Sequence, residues 1–305
     1  MEGIYHKDIP NIFIMIGLPG SGKSSYAVNL ANYYNAKIFS SDKLREELFG
    51  SEEIQGNNEI LFKELHKRIK ECLINKISAI YDATNLSYKK RKAFLDSLKN
   101  IKCYKVAIFM ATPYEECLKR NLQRDRKVPK DVIERMYKSF NAPYYYEGFQ
   151  ELNIVYSENS KNSFGTINNW VQQYKYYNQE NSHHSLSLGK HCLKSTENFS
   201  KTSSLYEAAM IHDCGKPFCQ TNINTKGEIC EEKHYYSHEN VGAYDSFFFN
   251  LTSDHFYIAQ LIQWHMRPYV AWKQSGKAEE KDRNLIGQTL YQDIILLHLA
   301  DKAAH

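Results

Sequence analysis

Apolar and polar positions follow two different rhythms along this chain of 305 residues. In the first half, short apolar runs bounded by turn residues alternate with segments whose apolar residues recur at helical spacing. The predicted strands are residues 11–18, 37–41, 78–83, 103–110 and 152–157. The first predicted helix, Lys23–Tyr34, follows closely on the first strand. This order predicts an α/β domain with a parallel sheet covered by helices on both faces.

The second half has almost no strand pattern. Residues 204–212, 255–265 and 291–300 have helical spacing, so we expect a mostly α-helical second domain. Residues 166–182 are crowded with Asn, Gln and Tyr and carry only scattered apolar residues, which predicts a linker. The predicted domains are therefore residues 1–165 and residues 183–305.

Composition narrows the class of protein. Hydrophobic residues make up 42% and charged residues 24%, as in a globular protein, and the net charge of +4 permits a polyanionic partner without requiring one. The apolar run at residues 12–18 is too short to span a bilayer, so we expect no membrane association. Seven cysteines without a Cys-x-x-Cys pair favour reduced thiols and a cytoplasmic location.

The pattern G-x-x-x-x-G-K-S occupies residues 17–24, after a predicted strand and at the start of a predicted helix. Glycines let backbone N–H groups point at phosphate oxygens, and the helix N-terminus adds positive potential. We expect Lys23 to hold the β- and γ-phosphates and the Ser24 hydroxyl to bind Mg²⁺. The predicted ligands of ATP or another nucleoside triphosphate are Gly17, Gly20, Ser21, Gly22, Lys23 and Ser24.

Two acidic residues follow predicted strands at the sheet edge where open α/β sheets bind ligands. Asp42 is a candidate general base for an attacking hydroxyl, and the alternative is that it only caps the next helix. Asp82 is a candidate for positioning Mg²⁺ or the acceptor, and the alternative is a simple strand-to-helix turn. Position alone leaves both alternatives open.

A basic segment at residues 119–126 contains Arg120 and Arg124. A charge run is usually a solvated surface. With a phosphate-binding loop upstream, however, we favour a lid whose arginines close on the triphosphate and neutralise charge in the transition state.

These motifs together resemble the phage-type polynucleotide 5′-kinase family over about residues 11–157. The matching motifs are the phosphate-binding loop, Ser41-Asp42-x-x-Arg45, Asp82-x-Thr84-Asn85, Arg120-x-x-x-Arg124 and residues 128–139. The resemblance implies that Asp42 is the general base for a 5′-hydroxyl and that Arg45 contacts the acceptor phosphate. It also implies that Asp82, Thr84 and Asn85 face the substrate and that Arg120 and Arg124 close on the donor.

The histidines lie mostly after residue 180. The informative residues are His191, His212, Asp213, His238, His265 and Asp301. Imidazole and carboxylate suit Mn, Fe, Co, Ni or Zn, with Mg as a further candidate, and Asp213 is placed to bridge two metals. A single histidine is more often structural than a ligand, and these residues form no local motif. Gly215 is expected to cap the helix that carries His212 and Asp213.

The sequence segments around these residues resemble the HD phosphohydrolase superfamily from about residue 183 onward. The matching segments are residues 184–191, 208–217, 238–243, 264–266 and 299–301. The resemblance implies an all-α domain in which His191, His212, Asp213 and Asp301 form the basic ligand set, with Asp213 catalytic. It adds His238 and His265 where two metals bind, and it puts His184 and Lys216 near the substrate phosphate.

The pairing of the two halves predicts a nucleic-acid end-healing enzyme. The kinase would add a 5′-phosphate, and the second domain would remove a 2′,3′-cyclic, 2′- or 3′-phosphate. RNA ends are favoured over DNA ends because a cyclic phosphate requires the 2′-hydroxyl, and a separate RNA ligase is an expected partner. Two alternatives remain open: a small-molecule kinase fused to a nucleotide phosphohydrolase, and a nucleotide-responsive binding module.

Overall fold

The computed structural model describes residue 6 and residues 8–52, 57–182 and 185–304. The chain divides into two compact units, of which the first comprises Met1–Met136 with Pro143–Glu158 and the second comprises Tyr137–Ala142 with Asn159–His305. The predicted linker, residues 166–182, includes a helix and lies within the second unit. The domain boundaries at residues 165 and 182 stay predictions.

The first unit contains a five-stranded sheet in the order β2-β3-β1-β4-β5. Its strands are β1 (Asn11–Ile16), β2 (Lys37–Ser40), β3 (Ala79–Asp82), β4 (Tyr104–Ala111) and β5 (Glu151–Tyr156). All four pairings are parallel. The structure thus confirms the predicted parallel sheet, with strand ends shifted by one or two residues.

Six helices connect or follow these strands. They are α1 (Lys23–Tyr34), α2 (Ser41–Phe49), α3 (Asn58–Ile74), α4 (Tyr88–Asp96), α5 (Tyr114–Leu122) and α6 (Lys130–Lys138), and a short 3-10 turn (Tyr145–Glu147) precedes β5. The predicted bounds of α1 are confirmed.

The core of the first unit explains why β1 is a continuous apolar run. Every residue of β1 is buried, as in a central strand covered on both faces. Phe13 and Met15 pack with Ala27 and Leu30 of α1. This core therefore anchors the carboxyl ends of β1, β2 and β3. Three predicted kinase residues lie close to these ends: Lys23 begins α1, Asp42 lies in α2 and Asp82 ends β3.

The second unit is mainly helical. Its helices are α7 (Ile167–Gln173), α8 (Leu188–Lys194), α9 (Ser204–Ile211), α10 (Lys216–Cys219), α11 (His238–Asp245), α12 (His255–Trp264), α13 (Gly276–Ile286) and α14 (Gln288–Ala303). A 3-10 turn (Ser246–Phe248) follows α11, and a π-helical turn (Pro268–Trp272) follows α12.

The expectation of an all-α second domain is wrong in one respect, because the second unit contains two short β-ladders. Strand β6 (Gly165–Thr166) pairs in parallel with β9 (Phe249–Asn250), and β7 (Thr221–Ile223) forms an antiparallel hairpin with β8 (Ile229–His234). The hairpin strands are largely exposed, so they lack the apolar alternation by which strands are recognised.

The expectations about membrane spans and disulfides can be compared with the described part of the chain. No helix there is both long enough and apolar enough to cross a membrane. None of the seven cysteines forms a disulfide.

Candidate functional sites

The phosphate-binding loop runs from the end of β1 to the start of α1. Gly20 and Gly22 have φ values of +83° and +91°, which favour glycine. A Cβ atom at Gly20 would also lie 2.3 Å from the carbonyl oxygen of Cys117 in α5. The loop therefore requires glycine at position 20 for two reasons, its backbone angle and the close approach of α5.

Lys23 lies buried at the first position of α1, where its Nζ donates to the Leu18 carbonyl oxygen at 2.7 Å. Burial lowers the pKa of Lys23, and the negative charge of Asp82 opposes this shift. Burial raises the pKa of Asp82, while Lys23 and the Ser24 hydroxyl stabilise its charged form. A cation, a hydroxyl and a carboxylate thus converge at the edge of the sheet. The two oxygen groups are of the kind that Mg²⁺ prefers.

Asp42 lies in the first turn of α2, and the cap of that helix is Ser40, whose Oγ accepts from the Lys43 N–H. The Asp42 carboxylate instead pairs with the guanidinium of Arg126, with Oδ1 and Nη1 separated by 2.6 Å. Arg126 also lies 3.8 Å from Glu52. Arg126 was not among the predicted site residues, although it belongs to the basic segment predicted to form a lid.

The three predicted arginines have separate surroundings. Arg45 is buried, and its Nη2 donates to Asn58 at the start of α3. Arg120 pairs with Glu116, and its Nη1 lies 3.9 Å from the Cβ position of Gly22 in the phosphate-binding loop. Arg124 adds positive charge that acts on both Lys23 and Asp82. Arg120 and Arg124 are therefore close to the phosphate-binding loop.

Residues 83–87 form a loop that is here called the acceptor loop, because Thr84 and Asn85 are predicted to face the substrate. Backbone groups of its neighbours anchor this loop. The Thr84 carbonyl oxygen accepts from the Gly17 N–H at 3.1 Å, and the Asn85 side chain donates to the Met15 carbonyl oxygen at 2.9 Å. Asn85 has a φ of +46°. The loop is thus joined to both β1 and the phosphate-binding loop.

A buried ion pair supports the acceptor loop and was missed from the sequence. The Arg91 guanidinium donates two hydrogen bonds of 2.7 Å to the Glu147 carboxylate. Its third donor, Nη1, bonds the Asn85 carbonyl oxygen at 2.8 Å. Both charged side chains are almost completely buried.

In the second unit, the carboxylate of Asp213 lies between two pairs of histidines. Its Oδ2 is 3.5 Å from Nε2 of His191 and 3.4 Å from Nε2 of His212. Its Oδ1 is 3.2 Å from Nε2 of His238 and 3.9 Å from Nε2 of His265. The two oxygens of one carboxylate therefore face different pairs.

Asp301 joins the first pair, with its Oδ1 3.0 Å from Nε2 of His191 and 3.6 Å from Nε2 of His212. All six predicted ligands are buried and lie together. Two groups of potential ligand atoms, each within 4.8 Å of one another, share Asp213. Five separate segments of the chain contribute to this histidine cluster.

The hydrogen bonds of the histidine rings leave the nitrogen atoms that face the site able to bind a cation. Nδ1 of His212, His238 and His265 contacts the carbonyl oxygens of Ala209, Tyr235 and Ile262 at 2.8, 2.7 and 2.5 Å. Because a carbonyl oxygen only accepts, Nδ1 carries the proton and Nε2 presents a lone pair. Nε2 atoms face each other at 3.2 Å in the first pair and 3.3 Å in the second. Divalent ions would turn this repulsive arrangement into coordination, with the carbonyl groups orienting the ligands.

Lys216 lies beside this cluster, with its Nζ 2.7 Å from Asp213 and 2.8 Å from the side-chain oxygen of Gln179. Burial alone would raise the pKa of Asp213, but the charge of Lys216 beside it holds this pKa well below its usual value. Asp213 is therefore a carboxylate, as a metal ligand must be. His184, the other residue expected near a substrate phosphate, lies outside the described residues.

Gly215 has a role different from the predicted helix cap. Its φ is −78°, an ordinary right-handed value, so no left-handed cap is formed. A Cβ atom there would lie 2.2 Å from the carbonyl oxygen of His238. Glycine is needed because the backbone of α11 passes against it, and this close approach brings His238 to Asp213.

Residues 12–143 match the family model described as AAA domain. The L-seryl-tRNA(Sec) kinase of Methanococcus maripaludis is 32% identical over 137 residues, which cover 43% of this chain and 53% of the relative. The chain thus spans about half the length of that curated relative.

Two solved structures are also similar. The Pnkp1/Rnl/Hen1 RNA repair complex matches with 24% identity and a TM-score of 0.40, covering 44% of this chain and 45% of that chain. Chaetomium thermophilum Kti12 in complex with ADP-AlF3 matches with 17% identity and a TM-score of 0.41, covering 48% and 90%. The first unit itself has an α/β fold with a phosphate-binding loop and a five-stranded parallel sheet.

Proposed function

We propose that this protein heals nucleic-acid ends with two activities. The first unit would be an ATP-dependent 5′-hydroxyl polynucleotide kinase. The second would be an HD-type metal-dependent phosphohydrolase that removes 2′,3′-cyclic, 2′- or 3′-phosphates. The observation that carries the proposal is the presence, in one chain, of a phosphate-binding loop whose Lys23 feels the charge of Asp42 and of a buried histidine cluster centred on Asp213.

For the kinase, Asp42 is the base and the acceptor loop positions the hydroxyl. Asp42 accepts the proton of the 5′-hydroxyl as that oxygen attacks the γ-phosphorus and ADP leaves. Lys23, Arg120 and Arg124 neutralise the charge that develops on the phosphate oxygens. Arg126 pairs with Oδ1 of Asp42, so its release would leave both carboxylate oxygens open to the hydroxyl.

For the phosphohydrolase, His191, His212, Asp213 and Asp301 would hold one divalent ion, and Asp213, His238 and His265 a second. Such ions supply an activated water and neutralise charge on the phosphoester. Lys216 keeps Asp213 ionised and provides a cation beside the site. The histidine Nδ1 contacts hold the rings in the ligand orientation.

RNA is the favoured substrate of the kinase. The similar L-seryl-tRNA(Sec) kinase is named for a hydroxyl acceptor carried on an RNA, which supports an RNA-borne hydroxyl here. A cyclic phosphate at the other end also requires RNA. The healed ends would be substrates for a separate RNA ligase.

The test uses an RNA oligonucleotide with a 5′-hydroxyl and a 2′,3′-cyclic phosphate, ATP, Mg²⁺ and Mn²⁺. Both ends are read by mass. We expect a gain of 5′-phosphate that is lost in Asp42→Asn and an opening or removal of the 3′-end phosphate that is lost in Asp213→Asn. Each variant is the control for the other, because each change affects only one unit.

The outcomes separate the proposal from its main alternative. Unchanged RNA ends together with consumption of free nucleotides would replace it with a small-molecule kinase joined to a nucleotide phosphohydrolase. Loss of both activities in either single variant, with unchanged melting temperatures, would contradict the assignment of one activity to each unit.

A further inference from the structure

Four tyrosines form a connected surface in the first unit, here called the tyrosine platform: Tyr88, Tyr144, Tyr145 and Tyr146. The ring centroids of Tyr88 and Tyr146 are 6.3 Å apart, those of Tyr146 and Tyr144 are 5.8 Å apart, and those of Tyr144 and Tyr145 are 5.3 Å apart. Tyr145 is 51% exposed, and the other three are half-buried. The platform thus presents a row of aromatic rings that is open to solvent at Tyr145.

The platform begins next to the acceptor loop. Tyr88 is the first residue of α4 and follows the loop directly. The Arg91–Glu147 ion pair joins α4 to the turn that carries Tyr145 and Tyr146, and Arg91 also bonds the Asn85 carbonyl oxygen. Glu147 accepts from the backbone N–H of Tyr144. One buried ion pair therefore fixes the platform and the acceptor loop in a single arrangement.

Charge beside the platform favours a polyanion. Lys89 and Lys90 follow Tyr88 at the start of α4, and both are exposed. Exposed aromatic rings combined with cations are the features by which proteins bind single-stranded nucleic acids without reading the sequence. A small acceptor would fill the acceptor loop and leave the rings unused.

We propose that the tyrosine platform binds the bases of a single-stranded acceptor downstream of its 5′-hydroxyl nucleotide, with Lys89 and Lys90 contacting the phosphates. This inference rests on the proposed kinase function. It specifies the acceptor as a strand of several nucleotides, because the row of rings continues from Tyr88, next to the loop, through three further tyrosines. The ion pair of Arg91 and Glu147 is the positioning element.

The test measures kcat and KM of the full chain for two acceptors, a nucleoside 3′-monophosphate and a ten-nucleotide RNA with a 5′-hydroxyl. Wild type should have the lower KM for the ten-nucleotide RNA. Tyr145→Ala should raise the ratio of the ten-nucleotide KM to the mononucleotide KM by about five- to a hundredfold, the effect of one stacked base. Tyr145→Phe, which keeps the ring, should restore the wild-type ratio.

Tyr33→Ala is the matched control, since Tyr33 is 57% exposed on α1 of the same unit. A second measurement is the salt dependence of strand binding. Lys89→Gln with Lys90→Gln should lower the slope of log K against log salt by about 1.4, because each phosphate contact on a single strand contributes about 0.7.

The outcomes separate this inference from the kinase proposal. If both acceptors are phosphorylated and Tyr145→Ala behaves like Tyr33→Ala, the platform is overturned and the kinase stands. If neither acceptor is phosphorylated, the kinase proposal fails and the platform fails with it.

Discussion

The phosphate-binding loop and the histidine cluster are built in opposite ways. The loop consists of eight consecutive residues, and its backbone geometry depends on glycines with positive φ. The cluster uses side chains from five segments, and their positions depend on the packing of α8, α9, α11, α12 and α14. A local site thus tolerates changes elsewhere in its unit, whereas a dispersed site depends on how its unit packs.

The difference also concerns electrostatics. At the loop, Lys23 supplies the positive charge that a triphosphate requires, so the site is prepared for an anion. In the cluster, facing histidine nitrogens and two carboxylates leave the site prepared for cations. The following changes separate the two sites, from the largest expected effect to the smallest.

Loss of one histidine from the second pair should abolish the proposed phosphohydrolase activity and spare the proposed kinase activity. We expect His265→Ala to lower the bound metal from two ions to one, measured by elemental mass spectrometry. Activity should fall by more than the roughly 10- to 100-fold lost when an outer-shell partner of a metal ligand is changed. His234→Ala in β8, outside the cluster, is the control. Unchanged metal content in His265→Ala would contradict the assignment.

A methyl group at Gly20 should disable the loop and leave the second unit intact. Gly20→Ala places Cβ 2.3 Å from the Cys117 carbonyl oxygen, so α5 must move. We expect ATP binding to be lost and the first unit to be destabilised by about 1–3 kcal/mol, measured by calorimetry.

Gly50→Ala provides a matched control for Gly20→Ala. Gly50 has a φ of +82°, close to that of Gly20, but a Cβ atom there meets nothing within 4 Å. The difference between the two variants isolates the steric clash from the backbone strain. Equal losses of ATP binding in both would show that the contact with α5 is unimportant.

The stability of the second unit should depend on the ionisation of Asp245. Burial raises the pKa of this carboxyl to about 7, although its hydrogen bond from the Tyr137 hydroxyl opposes the shift. Because the pKa is raised on folding, the contribution is present below about pH 4 and is lost as pH rises through about 7. Asp245→Asn should remove on the order of 4 kcal/mol of this pH dependence, measured by denaturant unfolding from pH 4 to 8. If the free energy of unfolding of Asp245→Asn varied with pH as in the wild type, the role given to Asp245 would be contradicted.

The smallest effect is expected for Arg126. Removal of its charge frees Asp42, so Arg126→Gln should increase ATP hydrolysis in the absence of an acceptor several-fold, because water can then use the base. The measurement is ADP release with and without acceptor. Arg135→Gln, which removes an exposed pair with Asp131, is the control. Equal ADP release in the two variants would show that Arg126 does not mask Asp42.

Local features were predictable from the sequence, and contacts between distant residues were not. The parallel sheet and the bounds of α1 are confirmed because apolar runs, glycines and helical spacing act over a few residues. The six predicted metal ligands follow only from the resemblance, since their spacing forms no local pattern. Their proximity in the structure depends on long-range packing, including the approach of α11 to Gly215.

The site residues that were not predicted were overlooked for the same reason, which is that their partners are distant in the sequence. Arg91 and Glu147 are 56 residues apart, and Arg91 belongs to a basic stretch that is typical of a solvated helix face. Nothing local distinguishes a buried arginine from its exposed lysine neighbours. Arg126 was overlooked within its charge run because its partner, Asp42, precedes it by more than eighty residues.

The shared carboxylate of Asp213 has a thermodynamic consequence. Two ions that bind the same carboxylate are not independent, so occupancy of one position changes the affinity of the other, and the second changes the first by the same factor. Metal titrations of this unit should therefore deviate from a single-site isotherm. When metal is limiting, the fractions of protein molecules that carry no ion and two ions would then differ from the fractions expected for two independent sites.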